Sequence, residues 1–428
     1  MKMPYRAAMT AFLLSLALTL LTLVDFRRGF LFASYVSRSL FHVFSPWHVP
    51  MLVAGIAGMF ASYRGMARHD ARTSGASRYV KPLTFAILAL LIVDLFTYRG
   101  VPAARSIAAG RVNVDWLKAF GVTAWWKPFA QATSYLLNVW HATMIGILIS
   151  GLALTMLPVY VKPYLVRRGF AGSLFGALFA LPQPFCSCCS SVMAPSLTRR
   201  GASTSFLLSF VVGAPMLNVT TIVLSLALLP PAFATLRIVA GIVVTVLVTY
   251  GVARLADRWE RPVEPQPKST QTSGWVRRLG SFYLRLFDLD AIVGEGSVDT
   301  PSRLIATWLY ASGRIALVLV PTLWVWSVIA SALFLALPSV FGNNMASVVL
   351  AALAGTFLMI STWSEIPMAL QLIDAGFKAP AAALLVVLPA VSLPCMMVLG
   401  GSLQRFRMVA LLSGAVMFVG IVAGALFL

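Results

Sequence analysis

A chain of 428 residues that is 59% hydrophobic and only 11% charged is not an ordinary soluble domain, in which roughly a quarter of the residues are charged. Its net charge of +20 is scattered over loops rather than gathered on one face, which argues against nucleic acid and for positive charge kept on the cytoplasmic side of a bilayer. Four cysteines, three of them within four positions, are not a secreted disulfide framework. The repeated apolar runs are near the length that crosses a membrane.

Lys2 and Arg6 precede an apolar run over residues 7–24, followed by Asp25, Arg27 and Arg28. No small-x-small cleavage site closes the run, so an uncleaved first span with its N-terminus inside is expected. Residues 30–44 are aromatic and interrupted by Arg38, as suits an interfacial stretch. Residues 51–62 make a short second span, and Arg64, Arg68, Arg72, Arg78 and Lys81 mark the loop after it as cytoplasmic. Residues 83–96 are the third span, with Asp94 expected to reach the headgroup layer. Residues 97–132 carry Trp116, Trp125 and Trp126 with Lys118 and Lys127, an amphipathic mixture suited to the interface.

The next span, 136–159, begins with Trp140 and His141, and His141 is expected at the interface. Residues 172–197 then form a segment that a simple membrane helix does not explain. Around Leu181-Pro182-Gln183-Pro184-Phe185-Cys186-Ser187-Cys188-Cys189 the prolines remove backbone donors. Irregular backbone at membrane depth is tolerated only where protein covers it or it lines a polar cavity. A broken span follows at 203–229, interrupted at Gly213-Ala214-Pro215-Met216-Leu217-Asn218, and another span at 233–252. Residues 254–303 hold seven of the thirteen acidic residues, and Pro262, Pro265 and Pro267 make the first part a linker. Beyond it lie a span within 304–337, an apolar segment 345–373 broken at Ser361-Thr362-Trp363-Ser364-Glu365-Ile366-Pro367, a span 381–399 broken at Pro389-Ala390-Val391-Ser392, and a last span 408–428.

Set side by side, the halves share an order. Gly201 and Gly376 each follow a broken hairpin and open the next span, and Pro215-Met216-Leu217-Asn218 then corresponds to Pro389-Ala390-Val391-Ser392. Counting back from each glycine pairs Cys186 with Ser361 and Ser190 with Glu365. The chain therefore reads as an all-α polytopic membrane protein with about nine spanning helices plus two broken or re-entrant hairpins in an inverted-topology repeat. Its expected parts are an N-terminal membrane region (1–133), a first repeat (134–256), a cytoplasmic linker (257–303) and a second repeat (304–428). Unwound segments at corresponding positions of two such repeats point to a transporter's binding site.

Cys186, Cys188 and Cys189 supply soft donors suited to thiophilic species such as a trivalent arsenical or Cu(I). A cysteine at the start of a half-helix has its thiolate stabilised by exposed N–H groups. Adjacent Cys188 and Cys189 cannot easily face one tetrahedral metal, and no histidine lies nearby, so no resident metal or cofactor is expected. The bland alternative is that the thiols are small apolar core residues. A carboxylate at membrane depth faces a cavity or a partner, which singles out Glu365 for a proton, a cation or the solute, unless it sits at the membrane edge. Ser361, Ser364, Asn218 and Ser392 can donate hydrogen bonds where the helices unwind; the last two can equally serve their own broken turns.

Pro184-Phe185-Cys186-Ser187-Cys188 leading to Arg199-Arg200-Gly201-Ala202, then Gly213-Ala214-Pro215-Met216-Leu217-Asn218, and later Ser364-Glu365-Ile366-Pro367 and Leu388-Pro389-Ala390-Val391-Ser392-Leu393-Pro394, resemble the predicted-permease family that includes the trivalent organoarsenical (methylarsenite) efflux permeases. The resemblance covers roughly residues 134–428. It implies a multi-pass permease of the cell inner membrane with functional cysteines at Cys186 and Cys188. Family members commonly carry a proline soon after the Cys-Ser-Cys, whereas here Cys189, Ser190 and Ser191 follow and Pro195 comes later.

The leading expectation is a secondary-type permease, not an enzyme, whose partners are the bilayer and a small-molecule or metalloid solute. No Walker-type Gly-x-x-x-x-Gly-Lys-[Ser/Thr] occurs, so coupling to protons or ions rather than ATP is expected. Two other readings are a membrane-embedded thiol oxidoreductase using Cys186 and Cys189, and a non-transporting scaffold.

Overall fold

The apolar runs fold as helices in the computed structural model, which describes residues 5–29, 31, 37–38, 42–70, 76–109, 126–156, 163–182, 187–199, 201–259, 299–335, 342–358, 365–403 and 405–428. Two units divide the chain: Met1–Arg105, Leu137–Leu157 and Asp290–Ala316 form the first, and Ser106–Leu136, Pro158–Leu289 and Leu317–Leu428 the second.

The first unit is built on α1 (Tyr5–Arg28), α2 (His48–Asp70), α3 (Val80–Ala109), most of α4 (Lys127–Met156) and the start of α11 (Pro301–Leu335). α1 and α2 pack along each other. Residues 30–44, expected as an interfacial stretch, include a two-residue antiparallel ladder in which Ser37 faces Phe44 and Arg38 faces Val43. Asp70, at the end of α2, accepts from the Tyr5 hydroxyl at 2.6 Å and from the backbone N–H of Ser302 at 3.0 Å. A carboxylate at a helix N-terminus satisfies donors that the helix itself leaves open, here those of α11.

Two residues expected at the membrane edge, Asp94 at the headgroup layer and His141 at the interface, turn toward each other inside the protein. Both are buried, and their side chains meet at 2.7 Å. Tyr98 stacks on the His141 ring, and the Arg28 guanidinium lies 4.2 Å above Tyr98. A second buried pair joins Asp25 to His48 at 2.8 Å. The Ser45 backbone N–H donates to His48 Nδ1 at 3.0 Å, so His48 carries its proton on Nε2 and donates it to Asp25.

The second unit opens with α5 (Gly169–Ala180) and α6 (Ser187–Arg199), then α7 (Thr204–Met216) and α8 (Val219–Leu228). α9 (Pro231–Ile242) and α10 (Thr249–Trp259) follow, joined by a π turn over Val243–Val248. After α11 come α12 (Met345–Phe357), α13 (Glu365–Asp374), α14 (Lys378–Ala390), α15 (Leu393–Leu403) and α16 (Phe406–Ala425). Local chemistry sets the boundaries. Ser203 and Asn344 cap α7 and α12 with their side-chain oxygens, and Pro231 starts α9, where its missing N–H has no cost.

α6 and α13 end alike. Gly201 (φ +86°) and Gly376 (φ +88°) take the left-handed conformation that glycine alone adopts freely. In each, the residue after the glycine bonds back over the last turn, Ala202 N to Leu197 O at 3.0 Å and Phe377 N to Leu372 O at 2.8 Å. α7 and α14 also match: each is thirteen residues long, each has a proline at its penultimate position, and each is followed by two non-helical residues. Close packing relies on small residues. A Cβ at Gly176 would strike the Phe206 carbonyl oxygen of α7.

Among the described residues, seven helical segments can cross a membrane by length and composition, and an eighth if residues 127–134 and 139–153 count as one bent span. The expected nine included the short run at 51–62. It lies within α2, where His48, Pro50, Tyr63 and Arg64 dilute the apolar stretch, and α2 is not among the candidates.

Candidate functional site

Among the described residues of the second unit, one ion pair is completely withdrawn from water. Arg237, two turns into α9, is 1% exposed, and so is Glu365, the first residue of α13. Arg237 Nη2 donates to Glu365 Oε1 at 2.9 Å. The N-terminal end of α13 suits the carboxylate, since the helix dipole favours negative charge there. Pro367 lies within the same first turn, where a helix tolerates proline.

The pair is joined at a single point. A guanidinium has five N–H donors and a carboxylate about four acceptor directions, and fork-to-fork pairing would use both oxygens. Among the described residues, Arg237 Nε, Arg237 Nη1 and Glu365 Oε2 are buried without a hydrogen-bond partner. The Oγ atoms of Ser191, on α6, and Ser392, just before α15, share that condition, as does Thr245 Oγ1 in the π turn. Buried polar atoms normally find partners, and an open group costs about 1–3 kcal/mol or more when charged.

Around the cysteine segment, Ser187 opens α6, and Cys188 and Cys189 are placed by their backbone in its first turn. Cys186 lies outside the described residues, as do Ser361 and Ser364. Ser190 Oγ sits 3.0 Å from the carbonyl oxygens of both Ser187 and Val211, which fixes the start of α6 against α7. α6 also packs on α15, where the buried Cys395 donates its S–H to Ser187 Oγ at 3.4 Å. The fourth cysteine, which the sequence left apart from the other three, thus touches the residue between Cys186 and Cys188.

Asn218 has a different fate. Its Nδ2 donates to Ala214 O at 2.8 Å, and its Oδ1 accepts from the backbone N–H and hydroxyl of Thr221, both at 2.9 Å. Both the oxygen and the nitrogen of this amide thus bond within the break it sits in. No bond joins Asn218, Glu365 and Ser392 to one another among the described residues.

Arg237 is the residue that reading the sequence missed. The signal was present: a single charge inside the apolar run 233–252. Its partner lies 128 positions away, and nothing in the run points to it. Among the described residues, no three His, Cys, Asp or Glu side chains gather to hold a metal ion.

Comparison with known proteins locates the chain. The family described as "Predicted permease" (ArsP_1) matches residues 127–428, so α1 to α3 lie outside the match. "UPF0718 protein YraQ" of Escherichia coli (strain K12) is 31% identical over 321 residues, covering 71% of this chain and 82% of that protein.

Proposed function

The chain belongs to the predicted-permease family, and from that premise we propose that it is a secondary carrier of the inner membrane that exports a small thiophilic solute, of the trivalent organoarsenical or soft-metal kind, through a site between two broken hairpins. The observation that carries the reading is that, among the described residues, the second unit holds buried groups with open valences, including Arg237 within α9, Ser191 within α6, and Glu365 and Ser392 at helix starts. In a permanently sealed bundle these atoms only destabilise. In a carrier they are the places where a solute is held.

In this reading, residues 134–256 and 304–428 are two repeats of inverted topology joined by the linker 257–303. The matched turns at Gly201 and Gly376, and the matched helices α7 and α14, support the pairing. Cys186, Cys188 and Cys189 take the soft centre of the solute, and Cys395 bonds to Ser187 of the same segment. Ser361, Ser364, Glu365 and Ser392 supply polar contacts, and Asn218 holds the first break in shape rather than binding. Glu365 also carries the coupling proton.

Flux into everted vesicles tests this, comparing methylarsenite with Cu(I) for the wild type, Cys188→Ser and Glu365→Gln. The expected result is uptake by the wild type alone, with uphill transport lost in both variants. Equal flux in the wild type and Cys188→Ser would remove the thiols from the mechanism.

A further inference from the structure

The open valences of the Arg237–Glu365 pair are of two kinds, and they lie on bonded residues. Arg237 offers N–H groups at Nε and Nη1, and Glu365 offers an acceptor at Oε2. Both side chains are 1% exposed, so bulk solvent does not reach these atoms. We propose that this pair is a recognition site for an undissociated oxyacid: a small neutral solute with an O–H and a second oxygen on the same central atom. The O–H donates to Glu365 Oε2, and the second oxygen accepts from Arg237 Nε or Nη1. The inference deepens the carrier reading above and rests on it for the route by which the solute arrives.

Charge balance decides the protonation state of the ligand. Arginine and glutamate together are neutral in a medium where an uncompensated charge is expensive. A neutral oxyacid keeps that balance. An oxyanion adds a negative charge beside Glu365, so even where it keeps an O–H, as arsenate does at neutral pH, it satisfies the arginine and is repelled by the carboxylate. A metal cation gains one oxygen and meets the guanidinium. The pair therefore selects for a group that both gives and takes a hydrogen bond, independently of any sulfur chemistry at α6. The single contact between Arg237 and Glu365 is what makes this available, since a two-point pairing would consume the donor and the acceptor together.

The test uses the full chain in lipid nanodiscs and three probes: boric acid, which is neutral at pH 7 and has no affinity for thiols, arsenous acid, which is neutral and thiophilic, and arsenate, which is ionised. Protection against thermal unfolding reports binding. The double variant Arg237→Met/Glu365→Leu keeps the fold, because apolar residues of similar volume replace a buried ion pair without loss. Boric and arsenous acids are expected to protect the wild type and arsenate is not. In the double variant the affinity for boric acid falls about tenfold or more, the loss of one or two charged hydrogen bonds. In Glu365→Gln the amide can still accept from the O–H, so affinity is partly retained and arsenate begins to protect. Undiminished boric acid protection in the double variant, or arsenate protecting the wild type as well as arsenous acid does, overturns the proposal. Vesicle flux separates the two readings. Arsenous acid flux that is the same in the double variant and the wild type removes this site and leaves the carrier standing, whereas protection without flux leaves the site and removes the carrier.

Discussion

Two interruptions of similar construction, at Leu217–Asn218 and at Val391–Ser392, end differently. Each follows a thirteen-residue helix with a proline next to its last residue, and each is buried. In the first, Asn218 bonds to Ala214 and Thr221 and closes the break upon itself. In the second, Ser392 Oγ has no partner among the described residues. The flanking hairpins repeat the contrast: Ser190 is tied to α7, while Glu365, its counterpart counted from Gly201 and Gly376, keeps Oε2 open. A closed break serves the fold. An open one is a cost in the folded molecule until a ligand, a water or a proton meets it.

The contrast can be broken most forcefully at its charged member. Arg237→Met alone leaves Glu365 as an isolated buried charge and is expected to cost about 3–5 kcal/mol, read as a fall in thermal or denaturant stability in detergent micelles, and adding Glu365→Leu restores most of it. A smaller effect is expected at the closed break. Asn218→Ala removes a helix cap and two further bonds, lowering stability by about 1–3 kcal/mol in the same assay, while solute affinity is unchanged at temperatures where the protein is folded. The smallest stability effect belongs to the open break. Ser392→Ala removes an unsatisfied hydroxyl and leaves stability within about 1 kcal/mol of the wild type, yet vesicle flux falls. Should Ser392→Ala destabilise as much as Asn218→Ala with normal flux, the distinction between the two breaks is lost.

Much of the scaffold was legible in the chain because prolines and polar clusters inside apolar runs have one local meaning. Pro215 and Asn218, or Pro389 and Ser392, announce an interruption without reference to distant residues. Gly201 and Gly376 announce their turns in the same way. The site was only half legible. Glu365 stood out, since a carboxylate within such sequence demands a partner, but the partner could not be found by inspection. Arg237 lies on another helix far along the chain, and pairing over that distance is a property of packing. The same reason explains Asp94 and His141: each read as an edge residue when considered alone, and only their meeting makes burial tolerable. The count of spans went astray at α2, where packing on α1 supports a helix too polar to qualify by composition.

The π turn between α9 and α10 has a mechanical meaning for Arg237. Such a turn holds one residue more than an α turn, and these insertions concentrate at working sites. If Val243–Val248 tightened into α geometry, everything on one side of it would swivel about the helix axis by about 100° relative to the other. Arg237 lies six residues before the turn begins. Winding and unwinding this one loop of backbone would aim the guanidinium at Glu365 or away from it by turning its own half of the span.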